Sequence, residues 1–265
     1  MLRFFFGRRS DPCGKMQYMC GRYVVTKSTS DMVTFFDVER VGETLATESW
    51  NIAPTDRINI VLDALPKSSA ESEEAPAGPV RRLEAARWGL VPPWAKELSV
   101  GARMFNARAE EAADKSAFRT AVKKRRAAIP ASGYYEWRKN ADGTKTPYFI
   151  SPPDDQMFAF AGLYEWWKNP AAAEDDPAKW VLSATILTQD SAGELAAIHD
   201  RMPVVLTVDT LEPWLDPTEE GDAELVAAIA AEGIFATEAF ALREVDRAVG
   251  NVRNNSPELI EPVAE

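Results

Sequence analysis

Apolar and polar positions along this chain form short alternating runs, with fewer segments of helical spacing. Gly21 to Thr26 and Arg57 to Ala64 read as strands. Past residue 126 such runs dominate: Ala127 to Pro130, Gly133 to Arg138, Pro147 to Ile150, Met157 to Trp166, Trp180 to Thr188 and Met202 to Thr207. Asp142-Gly143 lies between two of them and is a hairpin signal. The helical segments are shorter. One starts near Ser30, a residue type that caps helices, and ends before Glu39. A second covers Ala109 to Lys124, with Ala113, Ala117, Phe118 and Ala121 on one face. Ala192 to Ile198 reads as a helical turn, and Leu211 to Trp214 and Ala223 to Glu232 as helices. Residues 66 to 79 and 169 to 179 are polar loops without apolar period. No internal repeat and no linker divides the chain, so the pattern predicts one strand-rich α+β domain.

An apolar fraction of 46% over 265 residues supports a substantial core. No apolar run reaches the roughly 18–20 residues a membrane span needs. The opening MLRFFFGRRS is too short in apolar residues for a secretory signal, although a basic, acid-poor leader also fits an organelle address. The expectation is a soluble, intracellular protein. Its two cysteines, Cys13 and Cys20, lie too close together to staple a fold, and His199 is the only histidine. A zinc site of several His or Cys ligands is therefore not expected.

A net charge of −11 argues at first against a nucleic-acid partner, but the charge is uneven. Between Arg81 and Arg126 stand 12 Lys/Arg and 5 Asp/Glu, a local balance of 12 − 5 = +7. Phosphate binding depends on local potential, within a Debye length of about 8–10 Å. Such a stretch is either a phosphate groove or a solvated helix face, and the Lys123 to Arg126 run also suits a helix C-terminus.

The segments with chemical content are MCGRY (Met19 to Tyr23), WNIAPT (Trp50 to Thr55), RWGLVPPWAK (Arg87 to Lys96), FNARAE (Phe105 to Glu110) and IPASGYYEWRK (Ile129 to Lys139). They continue with PYFI (Pro147 to Ile150), FAFAGLYEWW (Phe158 to Trp167), TILTQDS (Thr185 to Ser191), IHDRMPVVL (Ile198 to Leu206) and AVGNVRN (Ala248 to Asn254). In this set and order the chain resembles the SOS response-associated peptidase (SRAP) family, whose members crosslink covalently to abasic sites in single-stranded DNA. The resemblance implies barrel-like curled antiparallel sheets with flanking helices, a site in a groove, and no cofactor or metal. It also implies abasic single-stranded DNA as partner, no membrane, a monomer, and a cytoplasmic, nucleoid-associated location (nuclear in a eukaryote).

The family's reactive cysteine corresponds to Cys20. As a first residue it would be a 1,2-aminothiol whose α-amine, with a pKa of about 7.7–8.0, attacks the aldehyde of a ring-opened abasic sugar before the thiol closes a thiazolidine. Residues 1–18 carry no family motif, and an amide at Cys20 could not form the Schiff base. We read them as a non-family leader, outside the mature protein because translation starts at Met19 or the leader is cleaved; residues 19–265 form the SRAP domain. Loss of the crosslinking activity is the remaining alternative. For Cys13 the reading is a small buried hydrophobe.

The resemblance further assigns Glu136 as the catalytic glutamate, His199 as a proton-transfer group at the sugar, and Asn106 as a residue positioning the cysteine or sugar. Strand alternation puts Tyr134, Glu136 and Arg138 on one face and Tyr135 and Trp137 on the other. Desolvation among aromatics would raise the pKa of Glu136; the other reading is a surface glutamate beside Arg138 or Lys139. Arg22, Arg108 and Arg201 match family arginines that hold the DNA backbone. Thr188 is a candidate phosphate contact. Trp88, Pro92, Pro93 and Trp94 form either an apolar stacking wall or core packing. Asn51 and Pro54 match loop-shaping residues near the same pocket. Two other functions use the same residues: a thiol peptidase or autopeptidase with Cys20, His199 and Glu136, and a non-catalytic reader of single-stranded DNA.

Overall fold

In the computed structural model of the chain, which describes residues 21–66 and 78–263, strands dominate as the alternating pattern predicts. The first half contains β1 (Tyr23–Val25), α1 (Thr29–Phe35), β2 (Arg40–Val41), β3 (Ser49–Ile52), β4 (Arg57–Ala64), β5 (Val80–Trp88) and β6 (Asn106–Arg108). Next come α2 (Ala109–Ala112), α3 (Arg119–Lys124), β7 (Arg126–Ala131), β8 (Gly133–Lys139), β9 (Lys145–Ser151), β10 (Phe158–Lys168) and β11 (Trp180–Asp190). The last are β12 (Arg201–Pro203), β13 (Val205–Leu206), α4 (Val208–Leu215), α5 (Ala223–Thr237) and β14 (Ala241–Glu244).

Five strands close into a barrel. The order β11-β10-β7-β4-β5 is antiparallel throughout, and β5 returns to β11 in parallel, with Arg87 opposite Ser183 and Trp88 opposite Ala184. Barrel width grows with strand number, so five strands leave little interior room. The residues at the tightest contacts are correspondingly small: Ala127, Ala128, Ala159, Ala161 and Ala184 are buried. At Gly162 a Cβ would lie only 2.7 Å from Ile129 Cδ1. All six residues of β7 are buried, which explains its lack of polar alternation. Short strands extend this sheet: β6 and β12 on β11, β13 on β10, and β2 on β5.

A second antiparallel sheet, β14-β9-β8-β1-β3, lies against the barrel. Tyr23 of β1 joins the two by edge-to-face contact with Trp88 at 5.1 Å and Phe160 at 5.8 Å, and Tyr134 of β8 meets Phe160 at 5.9 Å.

Two local expectations change, and one strand is new. The cap of α1 is Ser28 and not Ser30: Ser28 Oγ accepts from Asp31 N at 3.2 Å, and Ser28 N donates to Asp31 Oδ2 at 2.9 Å. The helix expected over 109–124 is two helices, because the polar turn through Asp114, Lys115 and Ser116 lets both Ala112 and Phe118 reach the core. Strand β5 has no strand-like pattern; its buried positions Val80, Leu83, Ala86 and Trp88 break strict alternation. Among the described residues no helix is long and apolar enough to cross a membrane.

Candidate active site

Tyr23 is fully buried against the barrel, so the two residues before it emerge where the second sheet meets the barrel rim. There Gly21 and Arg22 line a cavity of about 460 Å³ together with Pro54, Glu136, Trp137 and His199. Cys20 lies outside the described residues, but its chain neighbour Gly21 is on the cavity wall.

Glu136 stands in the middle of β8 and is only 2% exposed, which removes the surface-glutamate reading. Arg138, the cation offered by that reading, lies over the Tyr148 ring at 4.9 Å. His199 reaches the cavity from the turn before β12. Its Nδ1 has one donor in range, Arg201 N at 3.1 Å, and two acceptors, Asp200 Oδ1 at 3.0 Å and Arg201 O at 3.3 Å. The neutral ring accepts from Arg201 N–H, and the protonated ring donates to Asp200. In the neutral ring Nε2 therefore carries the proton and is a donor, and the proton gained on charging sits at Nδ1. A buried carboxylate and an imidazole on one cavity can move protons for addition to a carbonyl and for loss of water.

Arg22 holds the cavity floor to the C-terminal loop. Its Nη1 donates to Asn51 Oδ1 and to Val249 O, both at 2.8 Å, and its Nη2 to Gly250 O at 3.3 Å. Asn51, buried in β3, donates through Nδ2 to Asn254 O at 2.8 Å, Asn251 O at 3.1 Å and Val249 O at 3.3 Å. These contacts fix Gly250 and Val252, which also line the cavity. The Tyr135 hydroxyl donates to Trp50 O at 2.8 Å, and burial pushes its pKa up, so it stays a donor. Burial lowers the pKa of the Arg22 guanidinium, with nearby Asp56 opposing the shift; the group remains a cation at neutral pH.

The SOS response associated peptidase (SRAP) profile matches residues 19–252. The chain belongs to the SRAP family. Abasic site processing protein YoqW of Bacillus subtilis is 35% identical over 244 residues, covering 92% of this chain and 99% of the relative. YoaM of the same organism, also called an abasic site processing protein, is 33% identical over 246 residues, covering 92% and 98%. A crystal structure of a Bacteroides thetaiotaomicron protein superposes with a TM-score of 0.71 at 21% identity, covering 92% of this chain and all of that one. That likeness shows the fold.

Not every residue expected in the SRAP site reaches the cavity. Arg22, Glu136 and His199 do, with Pro54, while Asn51 supports them from behind. Asn106 is half-buried at the start of β6 beside Ile186, outside the cavity lining. Arg108 is exposed, with Glu111 Oε1 3.9 Å away. Four residues expected to contact DNA are buried. Trp88 is 0% exposed and its Nε1 donates to Phe105 O at 2.8 Å, so it is core. Thr188 is 0% exposed within β11. Pro92 is buried beneath the turn that presents exposed Pro93 and Trp94. Arg201 is 6% exposed; its guanidinium holds Glu110 at 2.9 Å, Asp190, and Thr188 O at 2.7 Å. Trp94 is the stacking candidate at the surface, 59% exposed.

Much of the basic stretch is also committed internally. Arg81 holds Asp63 at 2.8 Å and Glu212 at 2.7 Å; Lys123 and Lys124 share Glu220; Arg125 holds Glu165 at 2.6 Å. Arg126 is buried and donates to five carbonyls, among them Trp214 O at 2.7 Å. Arg125 and Arg126 of the KKRR run are thus structural, while Lys123 and Lys124 are exposed. Sequence reasoning missed Trp137 and Lys145 as lining residues. Trp137 was assigned to the face away from Glu136, yet it shares the cavity and lies 5.9 Å from the Arg22 guanidinium. Lys145 is opposite Lys139 at the hairpin mouth, and no local signal marked it.

Proposed function

We propose that this SRAP protein binds single-stranded DNA and forms a covalent thiazolidine crosslink with abasic sites through Cys20 as its N-terminal residue. The observation that carries the reading is the grouping of buried Glu136 and partly buried His199 on one cavity with Gly21 at its wall. Relatives named abasic site processing proteins over nearly the whole chain support the substrate.

The chemistry is balanced without a cofactor. The α-amine nitrogen of Cys20 adds to the aldehyde carbon, and the carbinolamine loses one water to give an imine. The Cys20 Sγ then adds to the imine carbon while its proton passes to the nitrogen, closing the five-membered ring. Glu136 and His199 exchange the protons that water loss and ring closure require. Arg22 and Lys145 give the cavity cationic character for the flanking phosphates, with Arg108 and the Trp94 ring as outer contacts. The reading requires a free amine at Cys20, hence a mature chain that starts there.

Incubation with an abasic single-stranded oligonucleotide followed by denaturing electrophoresis tests this reading. A slower, heat-stable band is expected for the mature chain and none for Cys20→Ser. An equal band from both chains would refute the assignment of Cys20.

A further inference from the structure

The outer wall of the barrel carries two arginines that face each other. Arg57 of β4 and Arg87 of β5 are directly opposed across the antiparallel pair, where like charges repel. Among the described residues neither makes an ion pair, unlike Arg81, Arg82 and Arg125 of the same region. Arg87 Nη1 donates to Thr55 O at 2.9 Å, while its Nε is buried with no acceptor. Among the described residues two like charges thus face each other without a counter-ion, a repulsion that a bound anion relieves.

Beside these arginines lies a cavity of about 410 Å³, lined also by Thr44, Thr55 and Trp180. Trp180 is 54% exposed, and Lys168 Nζ lies 6.0 Å from its ring centre. Lys168 and Lys179 both pair with Glu174, and the neighbouring Asp56 carboxylate accepts from Ala53 N at 2.8 Å. Thr55 has a φ of +82°, a conformation that costs a β-branched residue about 1–3 kcal/mol. It is held there by its N–H to Trp88 O at 2.8 Å, and the same turn aims its carbonyl at Arg87. Pro54 lines the Glu136 cavity and its chain neighbour Thr55 lines this one, so one turn contributes to both.

We propose that this second cavity is a phosphate-and-base subsite for the single strand as it leaves the Glu136 cavity. Arg57 and Arg87 hold a backbone phosphate through their guanidinium forks, and Trp180 stacks a base. The assignment rests on the reading above that the chain binds single-stranded DNA.

The test is reversible binding followed by fluorescence anisotropy in a Cys20→Ser background, with Arg57→Gln and Trp180→Ala, both at exposed positions. Two abasic strands are compared across a salt series, one of about 20 nucleotides and one of about three that fills only the first cavity; losing one phosphate contact should flatten the log–log salt slope by about 0.7 for single strands. On the long strand, Arg57→Gln is expected to flatten the slope by that amount and Trp180→Ala to weaken binding roughly tenfold. On the short strand both variants should match their parent. Unchanged long-strand binding, or an equal loss on both strands, overturns the subsite. Loss of inorganic phosphate binding with strand binding intact identifies a free-anion site and also overturns it. If the parent binds neither strand, the DNA reading itself falls and takes the subsite with it.

Discussion

Asn51→Ala removes a side chain that joins β3, Arg22 and the C-terminal loop at one point. Its amide nitrogen serves three carbonyls with two hydrogens, so the loss amounts to about two neutral hydrogen bonds, each worth about 1 kcal/mol net. Its oxygen accepts one charge-assisted bond from Arg22, worth about 1.5–3 kcal/mol. Arg22 keeps Val249 O and Gly250 O, so the cation is not stranded, which favours the lower end. The expected destabilisation is about 3–4 kcal/mol, or a fall in Tm of about 6–16 °C at 2–4 °C per kcal/mol for a chain of this size. Urea unfolding monitored by tryptophan fluorescence measures it, and the change should lie in the midpoint with the slope unchanged. Because the lost bonds also fix Gly250 and Val252, crosslinking by the folded fraction should slow at a temperature where the variant remains native. A destabilisation under about 1 kcal/mol with normal crosslinking would refute the reasoning that this amide organises the cavity.

Trp88→Ala and Trp94→Ala should behave oppositely. The first empties a fully buried site and costs about 3–5 kcal/mol in urea unfolding; the second leaves stability within about 0.5 kcal/mol but weakens single-strand binding roughly tenfold. Glu136→Gln should slow crosslink formation about 10²–10⁴-fold in a single-turnover gel assay, with reversible affinity retained. Hydrogen bonding from Arg81 holds the Glu212 carboxyl below its usual pKa, with burial opposing and the charge of Arg81 adding to the effect. The folded value is depressed, so this stabilisation is complete above the ordinary Glu value of about 4.3 and disappears as pH falls through the folded one. Thermal melts of Glu212→Gln and the parent should therefore differ at neutral pH and converge on acidification.

How much of this was legible in the sequence depended on how local the signal was. Strands β4, β8 and β11 follow from alternation or unbroken apolar runs, and the hairpin between β8 and β9 from Asp142-Gly143. Barrel closure was not readable from periodicity, because it rests on a parallel pairing of Arg87 and Trp88 with residues 183 and 184, almost a hundred positions away. The internal commitment of much of the basic stretch was unreadable for the same reason. Its counter-ions, Glu212 for Arg81, Glu220 for Lys123 and Glu165 for Arg125, stand far along the chain. Within the site, the motifs around Arg22, Glu136 and His199 led to one cavity, whereas Trp88, Pro92, Thr188 and Arg201 stand in equally recognisable motifs and are buried. A motif identifies the residue, while exposure depends on packing against distant segments.

The most direct test of the central claim is intact mass combined with N-terminal sequencing of the protein from its native cell, after incubation with abasic single-stranded DNA. The thiazolidine mechanism predicts a chain beginning at Cys20 that gains the mass of the oligonucleotide less one water. A mature chain that retains residues 1–18 and forms no adduct would contradict it.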